Sequence, residues 1–165
     1  MLIPEAEERD MSTLYDSDIV LWSEQQADKL RRIARGEQPN EVDWENIVEE
    51  IESVGRSELK SVASLLRHAL EHFLKAAAWP DAPSARKWVN EAYSFLDDAE
   101  DGWAPSMAQR IDLAQLYRRA LDSVRRLDMD EGVPGPLPAT CPVALDDLLR
   151  GGREADLGPR FRPPA

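Results

Sequence analysis

Apolar residues recur at helical spacing along most of this chain, and no stretch alternates with the period of a strand. Ile19, Trp22, Gln26, Leu30 and Ile33 trace one face of a first helix that starts near Asp16 and ends at Gly36. Ile47, Val48, Ile51 and Val54 form a stripe on a second helix, which Asp43 caps and Gly55 ends or kinks. A third helix carries the widest apolar face, with Leu59, Val62, Leu65, Leu66, Ala69, Leu70, Phe73, Leu74 and Ala77, and stops at Pro80. Ser84 caps a fourth helix that packs through Trp88, Ala92, Tyr93, Phe95, Leu96 and Ala99 and closes at Gly102. Pro105 and Ser106 open a fifth, reaching Leu127. The segment from Cys141 to Gly152 adds a short helix with Pro142 at its first position, and it docks on the others because it is too short to persist alone. The pattern predicts an all-α fold: an antiparallel bundle of about five helices with a short C-terminal helix packed on it. Residues 1–12 read as a mobile acidic tail, 13–150 as one helical-bundle domain, and 151–165 as an extended C-terminal tail.

Several strings carry a resemblance. EEIESVGRSE, then HFLK, then Ser84-Ala85-Arg86-Lys87-Trp88, with LYDSDIVLW before them and LPATCPVALDDLL after, resemble the DUF29 family of uncharacterised bacterial helical proteins. The resemblance runs from about Leu14 to Leu149. It implies a helical fold and a bacterial source, and it supplies no activity.

Charge narrows the function more than composition does. The formal net charge is −12, which disfavours binding to a phosphate backbone or an anionic membrane surface. From Glu37 to Glu58 the acids meet only Arg56, whereas the fifth helix is rich in arginine: Arg110, Arg118, Arg119, Arg125 and Arg126. Opposite faces of one bundle then carry opposite charge, or the molecule self-associates through them. No apolar run is long enough to span a membrane, the N-terminus does not read as a signal peptide, and a single cysteine fits a reducing, cytoplasmic setting.

Four constellations bear on chemistry. His68-Ala69-Leu70-Glu71-His72 matches the inverted zincin string H-x-x-E-H, although only His72 falls at the histidine position that the family resemblance implies. Glu49 and Glu52 at i, i+3, facing His72 from an antiparallel neighbour, make a mononuclear metal site the alternative to a plain solvated face. Cys141, were it the cap of the last helix, would have a lowered thiol pKa; the bland reading is a small buried hydrophobe. Among the tryptophans, Trp22 and Trp88 belong to the core, and Trp44 and Trp103 sit near helix ends. No nucleotide-binding loop, nucleophile elbow or Cys-x-x-Cys pair is present, and no catalytic residue and no cofactor is assigned.

The leading expectation is therefore a non-enzymatic module. Trp44, Glu45, Glu49, Glu50 and Glu52 form its interaction surface, towards a basic protein partner or a second copy. A metal-binding protein using Glu49, Glu52 and His72 is one alternative, and a nucleic-acid mimic or antitoxin-like neutraliser of a basic partner is another.

Overall fold

Helical periodicity translates into structure with few exceptions in the computed structural model, which describes residues 14–127, 132–151 and 156–162. A helical turn over 14–17 precedes α1 (Ile19–Ala34), α2 (Trp44–Ala78), α3 (Ala85–Asp101) and α4 (Leu113–Arg125). Short helical turns lie at Pro105–Met107, Asp147–Gly151 and Gly158–Phe161. Among the described residues there is no strand, and the fold is all-α.

The main departure from the sequence pattern is at Gly55. The second and third expected helices are one helix of 35 residues, and Gly55 lies inside it. A single glycine costs a helix only about 1 kcal/mol against alanine. Glutamates before it, and Glu58, Leu59, Lys60 and the leucines after it, favour the helix enough to carry it through. A Cβ built on Gly55 meets nothing within 4 Å. Gly55→Ala is therefore expected to raise stability by about 0.5–1 kcal/mol, read as a higher midpoint in urea.

Two compact units divide after Gly55. In the first, Asp18 caps α1 by accepting from the Leu21 N–H at 3.0 Å. Beyond the helix end, Gly36 takes φ 85°, a left-handed turn that a side chain would strain. Trp22 and Gln26, one turn apart, are buried on the face that α1 turns towards the start of α2, and Ile47 is buried on α2.

The second unit holds the main core. Val62, Leu66, Ala69, Leu70, Phe73 and Leu74 of α2 are all essentially inaccessible. The turn after Trp79 reverses the chain, and α3 returns antiparallel. Trp79 meets Trp88 at 6.4 Å between ring centroids, and Phe73 meets Tyr93 at 5.3 Å, edge to face. At the far end a Cβ on Gly102 would lie 3.1 Å from Val62 Cγ2, so the absence of a side chain there lets the two backbones close. Ser84 precedes α3 as expected but makes no side-chain cap bond.

The fifth expected helix starts later than its apolar pattern. Pro105–Met107 forms a separate turn, and Asp112 sets the start of α4 by accepting from the Gln115 N–H at 2.9 Å. Leu116, Tyr117, Ala120, Leu121 and Val124 then fill the core. The C-terminal helix is shorter than expected, a π-helical turn over Asp147–Gly151, with Val143, Leu148 and Leu149 buried around it. The C-terminal segment does not run extended over the surface where it is described. Leu157 and Phe161 are fully buried, and the Phe161 ring stacks on Phe73 at 5.0 Å with 7° between planes. Two large apolar side chains in a short polar segment find more free energy in the core than in water. The tail expected over 1–12 lies outside the described residues.

Candidate functional site

Asp43 organises the acidic first unit. Its Oδ1 accepts from the Asn46 N–H at 3.4 Å, which satisfies one of the unpaired donors in the first turn of α2. Oδ2 accepts from Trp22 Nε1 at 2.9 Å and from Asn46 Nδ2 at 2.8 Å. The Asp43 N–H in turn donates to Oε1 of buried Gln26 at 3.1 Å. One carboxylate thus caps α2 and ties it to α1. Nearby, Glu41 holds a left-handed φ of 63°, and the Lys29 ammonium donates to its carbonyl.

Burial pushes the Asp43 carboxyl up, but the bonds from Asn46 and Trp22, with the Lys29 charge, outweigh it and hold it below its ordinary value of 3.8. A carboxyl depressed in the folded state stabilises at pH above its unfolded value, and that contribution is lost as pH falls through the folded value. The first unit is accordingly expected to loosen below about pH 4, and Asp43→Asn to remove that part of the acid transition. Acid titration followed by helical circular dichroism and tryptophan emission checks both.

The proposed surface residues divide. Trp44, Glu45, Glu49 and Glu52 are exposed along α2. Glu50 is turned inward: it accepts from the Tyr15 hydroxyl at 2.6 Å, and Ser53 donates to its backbone carbonyl at 3.0 Å. That hydrogen bond, together with burial and the charge of Glu50, raises the Tyr15 pKa. Tyr15 also meets Trp22 edge to face at 4.9 Å. The stripe expected to face inward does so only at Ile47. Trp44, Val48, Ile51 and Val54 are 55%, 51%, 67% and 62% exposed. No sequence signal marks this, because periodicity locates a stripe without saying whether anything covers it.

The metal reading does not survive. It needed α2 to break at Gly55 so that His72 could return towards Glu49 and Glu52. The helix is continuous, and Glu52 and Glu49 lie on it 20 and 23 residues before His72. Among the described residues no group of three or more His, Cys, Asp or Glu is placed to hold a metal ion.

The H-x-x-E-H string is taken up by other contacts. Glu71 pairs with Arg67 and lies 3.1 Å from His68 Nδ1. His72 Nδ1 faces the His68 carbonyl at 2.9 Å, and its Nε2 faces Glu91 Oε2 of α3 at 3.2 Å. Both rings lie against Phe95, at 5.4 and 5.2 Å. These contacts knit α2 to α3.

Cys141 is half-buried and lies four residues ahead of Leu145, where the helical segment begins, so it is not the cap of that helix. Burial raises its pKa against the lowering effect of the Val143 N–H, the reverse of an activated thiol. Tyr117 donates to the Pro138 carbonyl at 2.7 Å, and burial, with Cys141 nearby, pushes its pKa up to about 12. These polar groups anchor loops to the core.

Among the described residues no helix is long and apolar enough to cross a membrane. The family model described as "Domain of unknown function DUF29" matches residues 14–152. A solved structure of an α-helical protein of unknown function from Rhodospirillum rubrum is 29% identical, and the alignment covers 90% of this chain and 98% of that one with a TM-score of 0.62. None of the curated proteins matches.

Proposed function

This chain belongs to the DUF29 family, which brings no reaction with it, and from that premise we propose that it is a non-enzymatic interaction module presenting an acidic surface to a basic protein partner. The observation that carries this reading is where the charge sits. Residues 1–55 hold 15 Asp and Glu against 5 Lys and Arg, a net of −10 out of the −12 of the whole chain. Residues 56–165 hold 17 against 15 and are close to neutral. Solubility alone asks for no such segregation, whereas a concentrated field steers an oppositely charged partner to the first unit. Glu45, Glu49 and Glu52 form the exposed row of that field on α2.

Poly-lysine serves as the basic probe. It is expected to bind at low salt and to be released as salt rises past about 0.15 M, where the screening length is about 8 Å. Reversing Glu45, Glu49 and Glu52 to lysine should weaken binding severalfold, and reversing Asp98, Glu100 and Asp101 on α3 should change it little. Equal loss from both sets, or no binding at low salt, contradicts the reading.

A further inference from the structure

The first unit leaves an apolar strip bare beside its acids. Trp44, Val48 and Ile51 follow one another at i, i+4 and i+7, with Val54 at their edge, and each is more than half exposed. Single exposed apolar residues are ordinary, but a run of four on adjoining positions of one helix is a contiguous patch. It spans eleven residues, or about 15 Å of helix. Glu45, Glu49 and Glu52 repeat at the same i, i+4, i+7 spacing about 100° further round, so an acidic row runs parallel to the apolar one. Trp44 supplies the large aromatic anchor that dominates many interfaces.

Resting on the interaction role proposed above, we infer that this face of α2 docks a cationic amphipathic helix of another protein. Two parallel rows, one apolar and one acidic, are matched by a helix of three to four turns with Leu- or Phe-like residues along one stripe and Lys or Arg along its flank. Charge selects this occupant over the others. A second copy laid on the same face would bring together two segments whose described residues, 14–55, hold 11 Asp and Glu against 4 Lys and Arg, a net of −7 each, within a screening length of each other. An anionic lipid surface is repelled by the same row of glutamates.

The test uses the full chain and a labelled 18-residue helical peptide of leucine and lysine. A leucine–glutamate peptide of the same pattern and a serine–lysine peptide without the apolar stripe serve as controls. The leucine–lysine peptide alone is expected to bind well. Val48→Ser with Ile51→Ser should weaken it at least about tenfold, as should Glu45→Lys with Glu49→Lys and Glu52→Lys. Circular dichroism of each set checks that the variant keeps its helicity, so that a loss of binding is read at the surface. If charge reversal abolishes binding while the serine pair leaves it unchanged, the strip is overturned and the acidic-surface reading stands. If no peptide binds, or neither set matters, both fall. If the protein sediments as a dimer that Ile51→Ser dissociates, the strip is an interface between copies and the inference is overturned.

Discussion

Phe73→Ala is expected to destabilise the second unit by about 3–5 kcal/mol. Phe73 is fully buried, and its ring is held on two sides, stacked on Phe161 at 5.0 Å and edge-on to Tyr93 at 5.3 Å. Truncation removes the transfer free energy of the ring and leaves a cavity lined by groups from α2, α3 and the C-terminal turn. Those elements are tied together elsewhere, since the Leu157 N–H donates to the Tyr93 hydroxyl at 2.9 Å, so the cavity cannot collapse freely. Urea unfolding followed by circular dichroism measures the loss. Phe161→Ala should cost a similar amount, and the double variant less than the sum, because the two share one contact. Additive losses would mean that the stacked pair does not couple the C-terminal turn to the core.

Trp22→Ala is expected to melt α1, at a cost of about 3–5 kcal/mol to the first unit, while the second unit keeps its helicity. Trp22 is the largest buried side chain of the first unit, and its indole N–H also satisfies Asp43. Around it only Ile47 and Gln26 are buried among the described residues of that unit. A helical hairpin with so narrow a seam has little reserve. Hydrogen exchange should show fast exchange confined to α1 and the first turns of α2. Uniform acceleration across α3 and α4 would show that the units do not unfold separately.

The core of the second unit was legible from spacing alone. Val62 through Ala77 recur on one helical face, and that face is buried. Trp22 and Trp88 were read as core and are core. The family resemblance, resting on strings such as EEIESVGRSE and HFLK, anticipated the match over residues 14–152. Where the reading failed, a local rule met a longer-range balance. Gly55 has a helix breaker's chemistry, but helix formers on both sides outweigh about 1 kcal/mol, and the continuous helix removed the metal site that depended on a turn there. Leu157 and Phe161 lie among prolines, glycine and charge, which hid two fully buried side chains. Glu50 resembles its neighbours Glu49 and Glu52 in sequence, and its bond with Tyr15, 35 residues away, has no local signal. Val48, Ile51 and Val54 satisfy the helical pattern while more than half exposed, because the pattern does not say what covers a stripe.

Amide-resolved hydrogen exchange of the full chain, with and without the leucine–lysine helical peptide at low salt, tests most directly that the acidic first unit carries the working surface. Protection is expected at residues 44–54 of α2, fading as salt rises, with α3 and α4 unchanged. Protection centred on the arginine-bearing α4, or none anywhere on the chain, would contradict it.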